Sequence, residues 1–172
     1  MFLNYIKEFI LKKIVKKKLL NDKAVINDEK ISSVGLLLDE EQFSVLNQLI
    51  TELVNVGISR NQIEILGFKG KINKNESFDF PVFCYQNITL NGVIENSYVS
   101  DFINRPFELL INFYKSEKAA LMKVSVISKA KFKVGFGSVD TRVNDFIIQT
   151  DSVDYKVFLN ELFKYLKILN KL

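Results

Sequence analysis

The sequence predicts an α/β domain: a three-layer sandwich with a mostly parallel sheet of about five strands, antiparallel at one edge, preceded by a basic amphipathic helix. Three observations lead there. Short continuous apolar runs such as 31–38, 63–68 and 109–113 alternate with longer segments of helical periodicity. The first two runs are separated by a helix-length segment, which implies a parallel pair with a crossover between. The last two runs are joined by roughly 8 residues, too few for a helical crossover, so they are expected to pair antiparallel.

The elements follow in chain order. Residues 2–20 read as a helix, with Phe2, Ile6, Phe9, Ile10, Ile14 and Leu20 as its apolar face. Residues 21–29 are polar and read as a linker. Residues 31–38 form a buried strand, and Gly35 within it lets another group approach closely. Asp39 caps the next helix, with Gln42 completing a capping-box pattern. Phe43, Leu46, Leu49, Ile50, Leu53 and Val54 give that helix one apolar face, and Gly57 ends it.

Residues 63–68 are the second strand and 69–77 a loop. A short strand is expected near 81–85, a helical turn at 99–103 and a strand at 109–113. Ser116 is the expected cap of a helix from Glu117 to about Ala130. Strands follow at 132–136 and 145–150. Asp151 or Ser152 caps a final helix that buries Phe158, Leu159, Leu162, Phe163, Leu166 and Leu169.

Charge is unevenly spread. Residues 1–23 hold seven lysines against Glu8 and Asp22, a net of +5, while the whole chain nets +4. The remainder therefore nets −1. The organisation expected is a leader helix over 1–22 and a single domain over 30–172. A chain of 172 residues can bury a full core unaided.

Residue usage excludes several chemistries. There is no histidine and one cysteine, Cys84. Ser–His–Asp and Cys–His catalysis and a conventional zinc site are ruled out within this chain, as is an internal disulfide. No cofactor or metal is expected. Lys7 and Glu8 interrupt the leader's apolar run, so it does not read as a signal peptide, and no run is long enough to span a membrane. A cytoplasmic setting follows, with peripheral membrane contact left open. Cys84 lies in an apolar run and is expected to be buried and inert.

Several stretches resemble a known family. Asn87 to Gly92, the run FINRPFELLIN over 102–112, the run SKAKFKVG over 128–135 and the lysine-rich leader followed by KISSVG over 30–35 are similar to a family of small uncharacterised proteins from Bacteroidota. The resemblance implies a bacterial cytoplasmic protein with an α/β fold, and it supplies no catalytic residue. Glu108 stands where the family's pattern has aspartate.

The functional candidates are of two kinds. The leader's Lys12, Lys13, Lys16, Lys17 and Lys18 suit an anionic partner: RNA or a ribonucleoprotein, a membrane face, or an acidic protein. Lysine outnumbers arginine, which argues against base-specific reading. The other kind is a cleft at the carboxyl ends of the strands, assembled from Asp39, Lys69, Tyr114, Lys115 and Ser138. Residues 67–71 (GFKGK) lack the spacing of a phosphate loop and read as a turn. Asp39, Glu40 and Glu41 read as first-turn acids, and Arg105 as an ion-pair partner. The leading expectation is a non-enzymatic interaction protein. The alternative is a small-molecule-binding or enzymatic domain using the cleft.

Overall fold

In the computed structural model, which describes residues 2–20, 30–150 and 154–172, a six-stranded sheet organises the chain. The strands are β1 (Val34–Asp39), β2 (Ile63–Phe68), β3 (Val82–Phe83), β4 (Leu109–Phe113), β5 (Lys133–Phe136) and β6 (Phe146–Ile148), in the order β3-β2-β1-β4-β5-β6. The helices are α1 (Phe2–Leu19), α2 (Leu46–Asn55), α3 (Ser97–Asn104), α4 (Ala119–Ile127) and α5 (Tyr155–Ile168).

Every strand pair is parallel. The antiparallel edge expected from the sequence is wrong, and the sheet has six strands where about five were expected. β6 runs parallel to β5, with Val134 opposite Phe146 and Phe136 opposite Ile148. A single 3₁₀ turn, Thr141–Val143, replaces the helix in this crossover. Val139 and Val143 are buried by it, so the short connection still packs on the sheet as a crossover must.

Strands β1 and β4 are buried along their whole length, which is why they read as unbroken apolar runs. Successive side chains of β1 point to opposite faces. Val34, Leu36 and Leu38 join a core with Leu46, Leu49, Ile50 and Leu53 of α2 and Phe158, Leu159, Leu162 and Leu166 of α5. Leu37 joins another with Leu66 and Phe68 of β2, Val99 and Phe102 of α3, and residues of α4 and α1. Gly35 is needed here: a Cβ would sit 2.9 Å from the buried Phe107 ring.

Glu108 binds the start of β4 to that of β1. Its Oε2 accepts from the Ser33 amide at 2.8 Å, from the Ser32 hydroxyl at 3.2 Å and from the Ser33 hydroxyl.

Several local expectations shift. Asp39 caps a 3₁₀ helix, Glu40–Val45, and α2 begins only at Leu46. Asp39 Oδ1 accepts from the Glu40 amide, while Gln42 is buried. The strand near 81–85 contracts to two residues, and the turn expected at 99–103 is the eight-residue α3, capped by Asn96. Ser116 does not cap α4: the helix starts at Ala119, and its N-cap Lys118 offers no side-chain acceptor. Asp154 caps α5, accepting from the Lys156 amide at 2.8 Å. The expected linker at 21–29 and the caps Asp151 and Ser152 lie outside the described residues.

Candidate functional site

Residues 2–19 form a helix because no glycine or proline interrupts a run of good helix formers. The helix packs on α4, and its seam takes in only part of the expected apolar face. Leu11 and Val15, four residues apart, are the buried pair. Lys7 and Glu8 lie on the same side, one and two turns earlier, and they form its polar anchor. Lys7 Nζ donates to the Tyr85 carbonyl at 2.8 Å. Glu8 Oε2 accepts from the Tyr85 hydroxyl at 2.7 Å, and Oε1 accepts from the Ala119 amide at 2.9 Å. Glu8 thereby supplies the cap that α4 lacks.

The turn after the 3₁₀ helix Tyr85–Asn87 closes the seam. Gly92 has φ +84°, and a Cβ there would lie 2.6 Å from Ile14 Cδ1. The Lys123 ammonium donates to its carbonyl.

Of the apolar stripe expected from the sequence, Ile6, Ile10 and Ile14 are half-buried, whereas Phe2, Phe9 and Leu20 point outward. Phe2, Phe9 and Leu20 are 76%, 61% and 77% exposed, and Tyr5 and Leu3 are also exposed. Lys12, Lys13, Lys16, Lys17 and Lys18 are exposed beside them. Residues 2, 9, 13, 16 and 20 recur at helical spacings of three, four and seven, so they share the face opposite Leu11 and Val15. Lys13 Nζ lies 5.1 Å from the centre of the Phe9 ring. Leader lysines and aromatics thus form one mixed outer face on a docked helix.

The five strand-end residues do not assemble into one cleft. Asp39 is buried and pairs with Lys118, Oδ1 to Nζ at 2.7 Å. Burial raises its carboxyl pKa above the ordinary value, against the opposing pull of Lys118. Lys69 pairs with Glu76 at 2.9 Å and Glu40 at 3.9 Å, and the Gly70 amide donates to Glu40 Oε1. The 67–71 turn is thus tied to carboxylates. Tyr114 is sealed in the core, where burial pushes its hydroxyl pKa far up.

Lys115 and Ser138 do meet. They line a cavity of about 500 Å³ with Gly137, Gln149 and Thr150, beyond the ends of β4, β5 and β6. The Ser138 hydroxyl donates to the Lys115 carbonyl at 2.9 Å, and Lys115 Nζ lies over the Phe136 ring.

The other candidates take structural parts. Cys84 is buried, with its amide donating to Asn87 Oδ1 at 2.9 Å. Arg105 pairs with Glu64 and donates to Gln62. No group of three or more potential metal ligands occurs among the described residues. Nor is any helix among them long and apolar enough to cross a membrane.

Sequence reasoning missed Lys118 and Tyr85, whose partners are distant in the chain, and Gln149 and Thr150, which line the cavity. Glu8 was traceable in principle, because it falls three and seven residues before Leu11 and Val15.

A family model described as a family of unknown function (DUF6913) matches residues 7–169. The chain belongs to this family. The match runs from the docked part of α1 through α5, so leader and body fall within one family unit. No curated protein and no solved structure matches the chain.

Proposed function

We propose that the protein is a non-enzymatic peripheral binding protein whose α1 docks on an anionic membrane face. The observation that carries this reading is the outward orientation of Phe2, Phe9 and Leu20 beside Lys13 and Lys16 on a helix already anchored through Leu11 and Val15. Exposing large aromatics on a docked helix costs hydrophobic free energy that burial would recover. A helix lying in the interface recovers it by inserting the rings, while its lysines meet the headgroups. An RNA or acidic-protein partner would engage the lysines and has no need of an inserted apolar face.

The test is cosedimentation of the full chain with vesicles of phosphatidylcholine alone and of phosphatidylcholine mixed with phosphatidylglycerol. Binding to the mixed vesicles only, weakening as salt rises, supports the reading. Binding to RNA but to neither vesicle replaces the membrane with a nucleic acid.

A second reading, a small-molecule-binding or enzymatic domain, draws on the cavity around Lys115 and Ser138. Its polar lining suits a small polar ligand. A cytoplasmic bacterial setting fits both readings. The helices contributing to a core on either side of the sheet support the three-layer arrangement for the body.

A further inference from the structure

The sheet has a topological switch point between β1 and β4. From β1 the chain leaves to α2, in one core, and from β4 to α4, in the other. Open parallel sheets take their ligands where neighbouring strands diverge in this way, at the carboxyl ends.

Alternation along β1 turns Asp39 to the same face as Leu37, the face of α1 and α4. Asp39 is 1% exposed. Its Oδ1 accepts from the Glu40 amide and from Lys118, whereas its Oδ2 is buried with no partner among the described residues. A dry, unpaired carboxylate oxygen is costly and calls for a donor.

Glu8 of α1 bridges two elements near this point. One oxygen takes the Tyr85 hydroxyl from the β3 side and the other takes the Ala119 amide at the start of α4. Lys118, which pairs with Asp39, directly precedes Ala119, so the two carboxylates meet adjacent residues at the start of α4. A phenol and a helix amide beside the Lys118 ammonium form an oxyanion seat. The chain fills this seat with its own carboxylate, yet Glu8 has no donor to offer Asp39.

A ligand carrying an oxyanion next to a hydroxyl would satisfy both groups. We infer that the seat held by Glu8, together with Asp39 Oδ2, is a binding site for a small hydroxylated oxyanion, a carboxylate or a phosphate ester, and that Glu8 of α1 is its built-in competitor. The oxyanion takes the Tyr85 hydroxyl and the Ala119 amide in place of Glu8, and the hydroxyl donates to Asp39 Oδ2.

The experiment follows the Ala119 amide resonance of the full chain during titration with glycerate, glycerol phosphate, acetate and inorganic phosphate. Removing the competitor raises apparent affinity by the fraction of sites it frees. Glu8→Ala is therefore expected to bind glycerate or glycerol phosphate about tenfold more tightly than the parent. Whichever of the two binds identifies the carboxylate or the phosphate source. Acetate and inorganic phosphate, without a hydroxyl, should bind more weakly. Adding Asp39→Asn should erase that preference.

If Glu8→Ala does not fold, Leu11→Ala, which weakens the seat of α1 and keeps Glu8, must raise affinity in the same direction. An Ala119 resonance that no probe moves in the opened variant, or equal affinities in parent and variant, overturns the inference. Acetate and phosphate binding as tightly as their hydroxylated counterparts overturns the part assigned to Asp39.

Discussion

Leu110→Ala and Ile147→Ala separate the centre of the sheet from its edge. Both residues lie in apolar strands, and the sequence treats them alike. The structure does not. Leu110 is fully buried in β4, between β1 and β5, in the core that also holds Leu37, Phe107, Ala120 and Val124. Its neighbours belong to a central sheet and a helix packed on it, which have little freedom to collapse into a void. The loss is therefore expected in the upper part of the range for buried leucines, about 3–5 kcal/mol. Ile147 is only half-buried in a three-residue edge strand. Losing half of the transfer free energy of its side chain costs about 1 kcal/mol. Urea denaturation followed by circular dichroism measures both, and the midpoint shift times the slope gives each difference. Equal losses, or a loss at Leu110 below about 1 kcal/mol, would refute the placement of β4 at the centre of a close-packed core.

Two further outcomes follow from particular contacts. Gly92→Ala places a Cβ against Ile14 in a left-handed backbone and costs about 1–2 kcal/mol. The strain falls on the α1 seam, so hydrogen exchange at the Leu11 and Val15 amides should speed up, and unchanged exchange would mean that the turn does not hold the helix. For Glu108, burial pushes the carboxyl pKa up, but bonds from Ser33 and Ser32 outweigh it and hold the group below its ordinary value. A depressed carboxylate stabilises the fold above its unfolded pKa, and this is lost as pH falls through the folded value. The stability gap between the parent and Glu108→Gln should be widest above about pH 5 and close in acid. A gap independent of pH would show that the serine contacts do not favour the charged form.

Much of the fold was legible because burial and pattern coincide. β1 and β4 are buried on both faces and β2 over most of its length, so they appear as apolar runs, and α2 and α5 carry one-sided stripes. The edge was misread because the argument from connection length assumed a crossover must contain an α-helix. Here Val139 and Val143 cover the sheet from a 3₁₀ turn. The orientation of α1 was legible only in part. Periodicity finds an apolar stripe, yet it cannot say whether that stripe meets the body or the solvent. Phe2 and Phe9 are solvent-facing, and the helix is held by Leu11, Val15 and two charged residues taken as interruptions. The site was least legible. Lys118 pairs with a residue 79 positions away and Glu8 with one 111 away, and no local spacing encodes such partners.

The outer face of α1 is tested most directly by vesicle binding of two variants of the full chain beside the parent. In one, Lys12, Lys13, Lys16, Lys17 and Lys18 become glutamine. In the other, Phe2 and Phe9 become serine. All seven side chains are exposed, so both variants should keep the parent's melting behaviour. At about 1 kcal/mol per lysine near an anionic surface, the glutamine variant should lose more than about a hundredfold in affinity for vesicles containing phosphatidylglycerol. The serine variant should lose vesicle binding as well, because the rings no longer enter the interface. A glutamine variant that binds these vesicles as well as the parent does, or a serine variant that binds undiminished, would contradict the account and leave α1 a packed helix with a solvated outer face.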